Sequence, residues 1–325
     1  MPPKIDPDVH YMRTSKMLAE TVALLVTFSA ALVVIERADW LEQARIPLLV
    51  LATVCQGCWF HRLYTAAHEA IHRKLVPDNK LLNDIIGQAL LLPLLIPVPV
   101  YRKIHKFHHT HNRRDHHTST LDGYVVGDEP GYFKRVWIGL LWYLGVFAGG
   151  YFIHGVISIL LFLFMPPVIA RKISPAFENW SWKDQLSSIA IFAAGIGLHA
   201  GVWLGLGQDA WLAALGRPFL FFAWVYSLLV YIYHYRTTYG DQVVYNVRSV
   251  RAHGFFRWWL LNFNHHRVHH RYPTLPWHML PDEPADLPED FRHNENVENI
   301  GQAIKQQLRG PQIFVETPTQ PQDEP

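Results

Sequence analysis

The chain has 325 residues, a formal net charge of +2 and an apolar half. That balance gives no support to a nucleic-acid partner, and the two cysteines, Cys55 and Cys58, allow no disulfide framework beyond one pair. The apolar residues gather into long runs between stretches rich in His, Arg and Lys, which points away from a soluble domain and toward a membrane protein.

Residues 1–16 are polar, with Asp6 and Asp8 among Lys4, Arg13 and Lys16, and read as a cytosolic N-terminal segment without a cleavable signal. Met17–Ile35 is long enough to span a bilayer. After a polar turn, Ile46–Tyr64 forms a second span; Cys55 and Cys58 lie inside its apolar run and read as small, soft helix residues. Ile85–Val100 is apolar but broken by Pro93, Pro97 and Pro99, so it predicts a re-entrant or interfacial hairpin rather than a straight span. Val136–Ala170 is interrupted by Gly149-Gly150 and Pro166-Pro167. Ile189–Leu206 and Trp211–Tyr233 are two further spans joined by a short turn. His154 and His199, isolated within apolar runs, read as hydrogen-bonding residues of helix packing. Residues 309–325 are rich in Pro, Gln and Glu and predict a disordered tail.

The loops Arg62–Lys80, Arg102–Arg114, Arg171–Lys183 and Arg236–Arg257 are basic, whereas the turns at Asp39–Arg45 and Gly207–Ala210 carry few positive charges. The positive-inside rule puts the basic loops in the cytosol. Parity then requires Val136–Ala170 to leave and return on that side. The expected fold is therefore an all-α integral membrane protein. It has about four transmembrane helices, re-entrant or interfacial helices, and a cytosolic histidine-rich cap, with residues 17–308 forming one domain.

Three of the histidine groups in the basic loops have ligand spacing: His68-Glu69-Ala70-Ile71-His72, His105-Lys106-Phe107-His108-His109 and His266-Arg267-Val268-His269-His270. Residues four apart share a helix face, so His68 and His72 reach one small volume. In a His-x-x-His-His group the adjacent pair diverges by about 100°, so one group can serve two neighbouring metals. Imidazole suits Zn, Cu, Fe or Ni, and a structural zinc needs four ligands. Eight imidazoles at one membrane face exceed that and fit two metals of higher coordination number; a redox-active iron pair fits best. A metal transporter would place ionisable residues within the spans themselves.

The three groups, their order, the apolar interval between the first two and the paired spans before the third resemble the membrane fatty acid desaturase superfamily. That superfamily also holds lipid hydroxylases and carotenoid ketolases and hydroxylases. The resemblance runs from His61 to Leu280. Arg248-Ser249-Val250-Arg251-Ala252-His253 is similar to its Arg-x-x-x-x-His segment, although Ala252 stands where Glu is usual. The stretch from Asn262 to Pro273 is similar to the entry into its third box.

By that register His266 rather than His265 is a ligand, and His253 is a ninth, with His234 its substitute. His61, His111, His116 and His117 lie off the pattern. Glu69, Asn262 and Asn264 become candidates to orient ligands or hold a water, as do Asp122 and Asp128. The resemblance implies two iron ions, O2 as co-substrate, and desaturation of a lipid acyl chain. Hydroxylation or carotenoid ketolation on the same scaffold is the alternative. A metal-handling membrane protein without catalysis is the alternative of another class. No fused haem or flavin module is evident, so the expected electron donor is a separate ferredoxin or a small cytochrome with its reductase.

Overall fold

A computed structural model describes residues 5–118, 121–282 and 287–316. Helix α1 spans Pro7–Arg37, so it begins within the stretch read as a polar N-terminal segment. Asp6 caps it, its carboxylate accepting from the Asp8 and Val9 amides, and Pro7 stands at the first helical position, where its missing N–H costs nothing. The polar start is not idle: His10 and Thr14 are buried, and His10 Nδ1 lies 3.1 Å from His278 Nε2.

Helix α2, Glu42–Ile71, continues a full two turns past the expected end of the second span, so the first histidine group is its last turn. It is followed by α3, Lys80–Leu91, and α4, Val98–His111, which meet at an angle of 98°. The bend sits where Pro93 and Pro97 remove amide donors and Leu95 adopts a left-handed φ of 58°. Strand β1 is Gly123–Val126. Helices α5, Tyr132–Phe147, and α6, Gly150–Phe164, are bent by 91° about Gly149, whose φ of 83° is open to glycine. Both proline- or glycine-broken segments thus turn sharply instead of running straight.

After α7, Pro167–Ile173, come α8, Trp182–Leu206, the short α9, Gln208–Trp211, and α10, Arg217–Leu229. Helices α11, Gly254–Trp259, α12, His266–Arg271, and α13, Ile300–Gln306, belong to the cap, and strand β2 is Gln312–Val315. Among the described residues, four helices are long and apolar enough to cross a membrane: Pro7–Arg37, Asp39–Ile71, Trp182–Leu206 and Gln208–Leu229. Apolar side chains such as Val22, Val26, Leu186 and Leu204 face outward on them, as lipid contact requires. The fold is an all-α membrane architecture with a helical cap.

Strands β1 and β2 pair in parallel, Gly123 against Gln312 and Val126 against Val315. The expectation of disorder from residue 309 is therefore corrected for 309–316, which close over the loop behind the second histidine group. The remainder of that tail, 317–325, lies outside the described residues. Beneath the strands, Arg113 and Asp122 form a fully buried ion pair. Tyr231 Oη donates to the Asp122 carboxylate at 2.9 Å, the Arg236 amide donates to it at 2.8 Å, and Arg113 donates to the Thr237 carbonyl at 2.8 Å. Asp122 thus ties the cap to the residues that follow α10.

Candidate metal centre

Each histidine group is presented by a helix end, and the three ends meet. His68 and His72 close α2, His105, His108 and His109 lie on the last turns of α4, and α12 is formed almost wholly by the third group. His234 arrives from the irregular turn after α10. These side chains sort into two sets, His68, His72, His105, His109 and His269 in one, and His108, His234, His266 and His270 in the other. As the sequence spacing allows, the adjacent pairs His108-His109 and His269-His270 divide between the sets.

The Nε2 atoms of His68 and His72 each lie 2.8 Å from Nε2 of His105; His109 Nε2 is 3.0 Å from His105 Nε2 and 3.0 Å from His269 Nε2. In the second set His234 and His266 bring Nε2 to Nε2 at 3.0 Å, and the His108 and His270 rings are 5.0 Å apart. The sets touch, with the His109 and His270 rings stacked at 4.2 Å.

Electrostatics decide what such a cluster can hold. Burial holds the imidazoles of His72, His234, His266, His269 and His270 well below the ordinary value, and each neighbouring ring lowers them further. They are neutral, so each brings one lone pair to the cluster. Buried ring nitrogens of His68, His109, His234, His266 and both of His270 have no hydrogen-bond partner. Converging lone pairs with orphaned polar atoms are unfavourable unless a cation occupies the centre. Either set fits a metal ion, and five plus four imidazoles fit two.

Eight of the expected ligands therefore converge, whereas His253 does not: it is exposed, ahead of α11. The segment that suggested it is held by Arg248, which donates to the Tyr235 carbonyl and, at 2.8 Å, to Asn296 Oδ1. His234 stands in the place expected of His253. Its signal in sequence is only a histidine just beyond a membrane span.

Glu69 is buried with Oε1 3.8 Å from His68 Nδ1, and its Oε2 accepts from the Trp277 amide at 3.0 Å. Asn264 Nδ2 donates to the Val250 carbonyl and Asn262 Nδ2 to the Trp277 carbonyl, so both pin cap loops. His111 stacks on Phe107, His116 stacks on Phe314, and His117 pairs with Glu316, all outside the two sets. Asp128 is exposed. His199 packs helices as expected, its ring nitrogens meeting the Pro93 carbonyl at 3.0 Å and the Trp211 indole N–H at 3.2 Å.

A cavity of about 430 Å³ opens beneath the cluster. His68, His105, His108, His234 and His266 form one wall, and Ile104, Phe152, Ile159, Leu229 and Phe263 supply much of the rest.

Residues 44–297 match the fatty acid desaturase family. The chain is also 24% identical over 258 residues to the chloroplastic omega-3 fatty acid desaturase of Glycine max. That alignment covers 72% of this chain and 53% of the relative, so the chain spans about half the length of the curated relative it matches. With the family matched across most of its length, the chain belongs to the fatty acid desaturase family.

Proposed function

We propose that the chain is an O2-dependent oxidase that introduces a C=C double bond into a lipid acyl chain at a histidine-held pair of iron ions. His68, His72, His105, His109 and His269 would hold one iron, and His108, His234, His266 and His270 the other. The observation that carries this reading is the junction of the two imidazole sets with the wall of a largely apolar cavity. When bound and reduced, such an iron pair supplies O2-driven removal of hydrogen from unactivated CH2 groups.

The protein's own contribution is placement. Ile104, Phe152, Ile159 and Leu229 hold a methylene chain against the imidazole wall and keep bulk water away. Glu69, beside His68, restrains the last turn of α2 and the loop at Trp277 together. By the positive-inside rule the basic loops favour a cytosolic position for the cluster. There Lys106, exposed on the helix that carries three of the imidazoles, faces a separate acidic donor, a ferredoxin or a small cytochrome with its reductase.

The test is mass spectrometry of total lipids from cells with and without the chain, with iron determined on the purified protein and His269→Ala as control. New double bonds in acyl chains and about two irons per chain support the reading. Oxygenated acyl chains or carotenoids instead would move it to hydroxylation or ketolation on the same scaffold. A single tight zinc without iron would overturn it.

A further inference from the structure

The cavity is not lined as a plain hydrocarbon tunnel. Below the imidazole wall, Tyr64, Tyr101 and Tyr226 all border it, as do His61 and Thr65. On α2, His61, Tyr64, Thr65 and His68 share one helix face, so this polar row continues the metal-binding face into the cavity. At 1.5 Å rise per residue it lies about 6–10 Å from the His68 level.

The phenols form an open chain. Tyr101 Oη donates to Tyr64 Oη at 2.6 Å, and Tyr226 hydrogen-bonds Tyr64. Three hydroxyls carry three protons and make two bonds among themselves, so one O–H has no acceptor within the chain. His61 complements it. Thr65 Oγ1 donates its proton to the His61 carbonyl at 2.9 Å, so toward the His61 ring, 3.5 Å from Nδ1, it can only accept. With the imidazole proton on Nδ1 toward Thr65, Nε2 of this side chain, 6% exposed, is a lone-pair acceptor. One wall of the cavity thus offers a donor and an acceptor together. An unsubstituted methylene chain leaves both unpaired, which is unfavourable in an apolar enclosure.

We propose, resting on the reading of the cavity as the substrate site, that the preferred substrate is an apolar chain bearing a hydroxyl group about 6–10 Å from the carbons brought to the imidazole wall. The hydroxyl accepts from the phenol chain and donates to His61 Nε2. His61 and Tyr226 are specificity residues and touch no metal ligand's chemistry.

The experiment is equilibrium binding to the purified full chain in detergent, with stearate and a positional series of monohydroxystearates and ketostearates. One hydroxystearate isomer binds about tenfold more tightly than stearate, the effect of one good hydrogen bond. The matching ketostearate, which cannot donate, loses the His61 share. Tyr226→Phe and His61→Leu each reduce the hydroxyl advantage while stearate affinity stays within about twofold. Should a variant fail to bind stearate at all, the hydroxy, keto and parent series on the native chain decides alone. Equal or weaker binding of every hydroxystearate overturns the proposal, as does an advantage that survives both substitutions. The assay needs no turnover, so a chain without oxidase activity would still show or lack the preference.

Discussion

Nε2 of His234 lies 3.0 Å from Nε2 of His266, although one side chain comes from the end of a membrane helix and the other from the cap. The pair makes His234 the member of the four-imidazole set that no box contributes, and it sets up the sharpest test of the centre. His234→Ala is expected to lose one iron per chain and to abolish product, with the protein still inserted. His253→Ala is expected to keep both iron and product, because that side chain is exposed. Iron analysis beside lipid profiling reads both.

The contrast between these two histidines shows what was legible. The boxes declared themselves because ligand spacing on a helix is a local rule, visible without knowing where the helix goes. His234 obeys no spacing; only the return of α10 toward α12 brings it in. His253 was suggested by a neighbouring arginine, yet Arg248 is spent on the Tyr235 carbonyl and Asn296. The spans and the two bent segments followed from apolar runs and from Pro93, Pro97 and Gly149. The β1–β2 pair did not, because two four-residue strands far apart in sequence carry no periodic signal. The start of α1 carried no local signal, because the burial of His10 and Thr14 depends on contacts distant in sequence, such as His10 with His278.

Asp122 has both carboxylate oxygens engaged and no exposure. Asp122→Ala leaves Arg113 charged and buried without its partner, so a loss of about 3–5 kcal/mol is expected. Thermal unfolding in detergent measures it. Replacing Arg113 and Asp122 together by apolar residues should cost less than the single change, since no buried charge is then left unpaired.

Gly57 lets α2 approach α10. A Cβ there would sit 2.6 Å from Phe221 Cδ1, 2.8 Å from its Cβ and 3.0 Å from the Pro218 carbonyl oxygen. Gly→Ala in a helix ordinarily stabilises; here the sign reverses. Gly57→Ala is expected to destabilise by about 1–3 kcal/mol through overpacking against the base of the Phe221 side chain and the Pro218 carbonyl. The melting temperature of the purified variant gives the sign.

Burial, with the nearby His10 and Arg13, lowers the His278 imidazole to about 4, against Asp282, which opposes the shift. A histidine lowered in the fold is neutral there and takes up its proton more readily when released. Contact between the start of α1 and the loop at His278 is thus fully present above the ordinary imidazole range and weakens as pH falls from about 6.5 toward 4. Hydrogen exchange at residues 8–14 should accelerate over that window. His278→Gln should flatten the dependence, and an unchanged profile in that variant would remove His278 as its origin.

The parallel β1–β2 pair has a consequence for biosynthesis. His269 is the last imidazole of the five-membered set in chain order, and Gln312–Val315 follows it. A nascent chain therefore emerges with its first two boxes made and no partner for them, then completes both sets before the strand that covers the loop behind the second box has left the ribosome. Both imidazole sets are thus complete in the emerged chain before its last strand pairs.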